Sequence, residues 1–229
     1  MDTFKSVLHS LPLGRYQGPI YLVQSLALLD TVLASLEKET LLGFDTETRP
    51  AFRKGEKYLP SLLQLATQRA VYLFPVQGKG ILKKLSPILE NPSILKVGVA
   101  IKDDLKHLNA IYAFKPKGFL ELSLLSKHTH TPYTGLRNLA GIFLGLRISK
   151  SAQTSNWAQS VLSIPQILYA ATDAWISREL YFKLKEALPE QNFSSYVQEA
   201  LIASAEGLPV KPKKLFNILD KRSLKEEKK

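Results

Sequence analysis

The chain has 229 residues, no cysteine, and a formal charge of +11 from 31 Lys+Arg and 20 Asp+Glu. At 45% hydrophobic residues it can build a real core, which excludes global disorder, and the lack of cysteine excludes disulfide frameworks, thiolate zinc sites and cysteine nucleophiles. The excess of Lys and Arg points to a polyanionic partner, because phosphates attract these side chains and release counterions on binding; residues 211–229 carry a net +5 of the +11.

Taken in order, Ile20–Val23 reads as a short strand, and Ser25–Lys38 as a helix with Leu26, Leu29, Leu33 and Leu36 near helical spacing. Leu41–Glu47 is a buried strand running into carboxylates, and Leu62–Ala66 and Ala70–Val76 form an antiparallel hairpin. Ile81–Leu89 is helical and stops near Asn91-Pro92. Leu95–Ala100 is a strand, Asp103–Tyr112 a helix, Phe119–Leu125 a strand, and Leu136–Leu144 a helix between Gly135 and Gly145. Pro165, suited to a first helical turn, opens a helix reaching Leu188. Strands alternating with helices, plus one hairpin, predict an α/β fold with a mixed β-sheet flanked by α-helices. The expected organisation is an N-terminal extension (1–19), a main domain (20–190), and a C-terminal extension (191–229) whose basic end is too charged to pack. The N-terminal stretch lacks the pattern of a secretory signal, and no segment approaches ~20 uninterrupted apolar residues. The expected location is cytoplasmic, with no membrane span.

The chemistry is concentrated in three acidic motifs. In Phe44-Asp45-Thr46-Glu47 the alternation of a strand puts Asp45 and Glu47 on one face. Adjacent carboxylates repel, and a divalent cation neutralises them. The strand Val97–Ile101 runs into Lys102-Asp103-Asp104 at a helix start, where acids are also favoured as caps. Asp104, four residues before Leu108, is preferred over Asp103. In Tyr169-Ala170-Ala171-Thr172-Asp173, i and i+4 spacing stacks a phenol beside a carboxylate. Oxygen-only ligands suit Mg²⁺ or Mn²⁺ rather than zinc or copper. His128 and His130 alternate but lack a third zinc ligand nearby, and there is no GxxxxGK[ST] segment for a P-loop.

FDTE, VGVAIKDDLKHL and YAATDA resemble the three motifs of the DEDDy 3′→5′ exonucleases, most of all the Werner-type domain, over about Ile20 to Leu188. The segments Ser149-Lys150-Ser151 and Ser155-Asn156-Trp157 echo the same family. The resemblance implies an RNase H-like fold and two divalent ions, Mg²⁺ or Mn²⁺. It implies metal ligation by Asp45, Glu47, Asp104 and Asp173, with Tyr169 orienting the attacking water. It implies substrate contacts at Thr46, Thr48, Leu62, Lys150 and, by base stacking, Trp157. Arg49, Arg53, Lys54 and Lys57 follow the first motif and are candidates for the phosphate backbone. The implied substrate is nucleic acid, with DNA slightly favoured over RNA. The rival expectations are RNA trimming of the RNase D kind, a catalytically silent binding module of the same fold, and an unrelated basic scaffold.

Overall fold

In the computed structural model, which describes residues 3–53, 55–77 and 79–202, the strand-like runs join into one mixed sheet. Lys54 and the basic tail fall outside the described residues. The strands are β1 (Ile20–Leu22), β2 (Leu41–Glu47), β3 (Leu62–Ala66), β4 (Val71–Pro75), β5 (Leu95–Gly98) and β6 (Phe119–Glu121). They lie in the order β1-β4-β3-β2-β5-β6. β3 is antiparallel to β2 and β4, while the pairs β1–β4, β2–β5 and β5–β6 are parallel. The hairpin turn between β3 and β4 is closed by Thr67, whose hydroxyl donates to the Ala70 carbonyl at 2.9 Å and accepts from the Ala70 amide at 3.0 Å.

The helices are α1 (Thr3–Ser10), α2 (Leu26–Leu36), α3 (Lys79–Leu89), α4 (Lys102–Ile111), α5 (Leu122–Lys127), α6 (Leu136–Leu139), α7 (Ile164–Ala187) and α8 (Glu190–Ala200). On one side of the sheet, Leu29, Leu36, Leu82, Leu85, Leu105 and Leu108 from α2, α3 and α4 pack with Leu42, Phe44, Leu63 and Leu65. On the other, α5, α7 and α8 cover Leu41, Leu95, Val97 and Leu120, and the first half of α7 covers Leu62, Ala66, Val71 and Leu73. The alternation of β2 is therefore divided between the two layers: Leu42 and Phe44 face α2 and α3, while Leu41, Gly43, Asp45 and Glu47 share the α7 face.

α7 begins with a capping box: Ser163 accepts from the Gln166 amide and the Gln166 side chain accepts from the Ser163 amide. Its backbone lies directly on β2. A Cβ on Gly43 would overlap the Ala174 carbonyl oxygen and come within 3.0 Å of the Arg178 backbone nitrogen. Ala170, Ala171 and Ala174, all fully buried, keep the helix side of this contact equally thin.

Five segments differ from the sequence expectation, the first being α1, a helix in what was expected only as an N-terminal extension. The strand expected over Phe119–Leu125 ends at Glu121, because the Glu121 carboxylate accepts from the Ser123 amide and caps α5, which buries Leu122 and Leu125 three residues apart. The strand expected to reach Ala100 stops at Gly98, since Ala100 turns the chain with φ 62°. The helix expected over Leu136–Leu144 is α-helical only to Leu139 and continues as a π-helical turn, Ala140–Leu144. α8 was not anticipated, although Phe193, Val197 and Ala200 recur at helical spacing and are buried.

Lys96, a strand residue, is also fully buried. Its ammonium donates to the carbonyls of Ile88 (3.2 Å), Asn91 (2.9 Å) and Ile94 (2.8 Å), and lies 4.9 Å from the centre of the Phe119 ring. Burial pushes its pKa well below the usual lysine value, and the three carbonyls, spending all three donors, work against that loss.

Gly43→Ala tests the contact of α7 with β2. Overpacking of this kind costs ~1–3 kcal/mol, so the urea midpoint should fall by that equivalent with an unchanged slope. An unchanged midpoint would show that the helix gives way freely and that the close approach is not a constraint.

Candidate active site

The C-terminal end of β2 is where the acids meet. Asp45 and Glu47 project from it toward α7, which brings Asp173 and, one turn earlier, Tyr169. A carboxylate oxygen from each of Asp45, Glu47 and Asp173 lies within 4.8 Å of the other two. Asp104 arrives separately, in the first turn of α4, and its Oδ1 accepts from the Thr46 hydroxyl at 2.6 Å. Asp103, its neighbour, is exposed. In a parallel portion of an α/β sheet the carboxyl ends of adjacent strands are the usual place for a ligand, and β2 and β5 supply two such ends side by side.

The position of Asp104 depends on the turn before it. Both carboxylate oxygens of Glu121 accept from that turn, from the amides of Ala100 and Ile101, each at 2.8 Å. Oε1 also accepts from Ser123, from its amide at 3.0 Å and its hydroxyl at 2.6 Å. This one side chain therefore joins the end of β6 to the start of α4.

The cluster is electrostatically strained without a cation. Burial raises the pKa of Asp45 well above the usual carboxylate range, with Asp173 and Asp104 adding to it. Glu47 is raised well for the same reason, reinforced by Asp45, Asp173 and Asp104 and opposed by Arg137. Burial raises Asp173 to about 7 despite a hydrogen bond from Tyr169 and the charge of Arg137. Asp104 is raised by burial against the bond from Thr46. Burial, then the charges of Asp173 and Glu47, raise the Tyr169 phenol, so it stays protonated. Asp173 Oδ1 is buried without a hydrogen-bond partner. An orphaned buried carboxylate oxygen among like charges is what a hard divalent cation satisfies, and an all-oxygen donor set suits one.

The remaining sequence candidates fall into two groups. Thr46 lies in the cluster, with its hydroxyl committed to Asp104. Thr48 is half-buried just beyond β2. Lys150, Arg49, Arg53 and Lys57 are exposed, with Arg49 lying 4.0 Å over the Tyr58 ring. Leu62 and Trp157 are corrections to the expectation of substrate contact. At 1% and 2% exposure they belong to the core with Tyr169 and Ala170, and Trp157 packs 6.0 Å from the Tyr169 ring, so neither presents a surface to a ligand. His128 is stacked on Tyr196 and sits 3.4 Å from Glu199.

Arg137, Glu121 and Gln64 carry no signal in the sequence. Gln64 stands opposite Asp45 in the β2–β3 register, fully buried, with neither amide atom hydrogen-bonded. A cleft of about 770 Å³, lined in part by Lys38, Arg69, Arg178 and Lys185, opens at the other end of β2, away from the carboxylates.

The raised carboxyl values set a pH dependence. Between ~4, where an unfolded Asp titrates, and about 7 for Asp173, the native state holds more protons than the unfolded chain. Stability of the metal-free protein therefore falls as pH rises through that window. A cation replaces those protons. Thermal melts should show a lower Tm at pH 8 than at pH 5 without metal, and a larger rise on adding Mn²⁺ at pH 8. An equal or larger Mn²⁺ effect at pH 5 would contradict this account of the cluster.

Residues 20–189 match the family model described as 3'-5' exonuclease. The chain is 31% identical to the bifunctional 3'-5' exonuclease/ATP-dependent helicase WRN of Mus musculus over 93% of its own length and 16% of that protein. It is 30% identical to DNA polymerase I of Aquifex aeolicus (strain VF5) over 71% of its length and 26% of the polymerase. It thus spans between a sixth and about a quarter of these relatives. Among solved structures, the Aedes aegypti Nibbler EXO domain superposes with a TM-score of 0.72 at 25% identity, covering 80% of this chain and 99% of that one. The mixed sheet and its helical layers are those of an RNase H-like 3′-5′ exonuclease domain, and the chain belongs to the 3′-5′ exonuclease family.

Proposed function

We propose that this chain hydrolyses DNA from its 3′ end, releasing nucleoside monophosphates, with two Mg²⁺ or Mn²⁺ ions held by Asp45, Glu47, Asp104 and Asp173. The observation that carries this reading is the convergence of these acids from β2, α4 and α7 beside a protonated tyrosine. Asp45, on whose carboxyl both Asp173 and Asp104 act, would serve both ions; Glu47 and Asp173 would complete one site, and Asp104, held by Thr46, would serve the other. Such ions, when bound, lower the pKa of a water and offset charge on the phosphoryl oxygens.

The protein's own groups do the orienting. Tyr169 stays a phenol because burial and two carboxylates disfavour its anion, so it aligns an acceptor or a water by donating rather than by taking a proton. Its ring packs against Trp157, which fixes the position of the hydroxyl oxygen. Mg²⁺ keeps several waters, which is compatible with the few direct ligands available here. Exposed Lys150, Arg49, Arg53 and Lys57 supply positive charge for the phosphates of the strand. DNA is placed first because the similarity extends to a DNA polymerase at 30% identity.

The test is a time course on 5′-labelled 3′-recessed DNA and single-stranded RNA with Mg²⁺, Mn²⁺ or EDTA. The expected result is a ladder shortening from the 3′ end, faster on DNA and abolished by EDTA. Asp45→Ala should lower the rate by ~10³-fold or more, since losing metal-based charge stabilisation removes several kcal/mol. Faster loss of RNA would reassign the substrate. No cleavage of either polymer would favour a silent binding module.

A further inference from the structure

Arg137 enters the candidate site from a segment that carries none of the acidic motifs. It is the second residue of α6 and is half-buried. One nitrogen, Nη2, donates to the Tyr169 hydroxyl oxygen at 3.3 Å and to Gln153 Oε1 at 3.0 Å. Tyr169 in turn hydrogen-bonds Asp173. The backbone that carries Arg137 is anchored: Leu139 and Ala140, just beyond it, are fully buried with Ile176 and Leu180 of α7.

Two physical points give this contact a role. Arginine has donors and no acceptor, so its bond to Tyr169 must use a lone pair of the phenol oxygen. The single phenol hydrogen is then aimed away from Arg137, toward the space bordered by Asp173. Second, the charge of Arg137 acts on Glu47, Tyr169 and Asp173, and its Nη2 reaches the cluster at the tyrosine.

We propose that Arg137 is a positioning residue for hydrolysis, fixing the direction of the Tyr169 hydroxyl. The proposal rests on the exonuclease reading. It differs from a purely structural strap, in which Arg137 would only tie Gln153 to α7. A strap affects folding, whereas a positioning residue acts through Tyr169 and loses its effect once that hydroxyl is gone.

The experiment compares wild type, Arg137→Lys, Arg137→Gln, Tyr169→Phe and the Arg137→Gln/Tyr169→Phe double variant. It measures kcat and KM on a 5′-labelled oligonucleotide with Mn²⁺, calorimetric Mn²⁺ affinity without substrate, and urea midpoints. Orienting a proton donor is worth ~10²-fold or more, so Arg137→Gln should lower kcat by at least ~10-fold with KM changed by less than ~2-fold. Arg137→Lys should recover part of kcat. Adding Arg137→Gln to Tyr169→Phe should remove nothing further, the mark of residues that act as a unit. Mn²⁺ affinity in Arg137→Gln should stay near the wild-type value. A kcat within about twofold of wild type, independent losses in the double variant, or a collapsed urea midpoint in both the Lys and Gln variants would overturn the proposal. A wild-type protein that cleaves nothing would instead overturn the exonuclease reading, and this proposal with it.

Discussion

The close contact of α7 with β2 governs the geometry of the site. Gly43 and the Ala170/Ala174 surface let a helix backbone rest on a strand backbone, and only at that separation can a helix carboxylate join two strand carboxylates within 4.8 Å. The energy that enforces this is not local to the acids. Leu41, Leu95, Val97, Ile176, Leu180 and Leu184 are buried around the same helix, and each such side chain is worth ~1.5–3 kcal/mol when removed from water. Apolar burial along a 24-residue helix holds Asp173, near its middle, against the like charges of β2. The repulsion is spread over a few groups, so packing wins, and the strain survives as raised pKa values in the carboxylates.

The second half of the site is held by hydrogen bonds as well as by burial. α4 starts after the left-handed turn at Ala100, a conformation that a non-glycine residue adopts at some expense. Glu121 offsets that expense by accepting the amides of Ala100 and Ile101. From that fixed start, Asp104 meets Thr46 at 2.6 Å. The two halves depend on different features: the α7 half on the absence of a side chain at Gly43, the α4 half on the Glu121 carboxylate.

Much of this was legible from residue order. The period of two in Asp45-Thr46-Glu47 and the period of about four in Tyr169–Asp173 are local rules, so the facing of these side chains follows from element type alone. Asp104 was separated from Asp103 by its spacing to Leu108, and the structure gives Asp104 a partner in the site while Asp103 is exposed. What escaped was set by partners remote in the chain. Glu121 looked like the interior of a strand, and its bond to a turn 20 residues earlier leaves no mark in the local pattern. Lys96 looked like an ordinary strand lysine, and only the converging carbonyls of Ile88, Asn91 and Ile94 explain its burial. Trp157 was expected to stack on a base, and the packing of its ring behind Tyr169 puts it in the core instead.

That last placement bears on how the phenol works. A tyrosine hydroxyl at the edge of a carboxylate cluster would swing freely if its ring were exposed. Here Trp157 stands 6.0 Å away on one side, and Arg137 donates to the oxygen from another. Ring packing fixes where the oxygen is, the arginine fixes which lone pair is used, and the hydrogen has one direction left. Nothing in this arrangement requires Tyr169 to ionise, and the burial that raises its pKa works against ionisation. The same burial that makes the phenol a poor base therefore makes it a directional donor, and the carboxylates beside it, each better ionised once a cation replaces their protons, are the groups whose charge changes with pH.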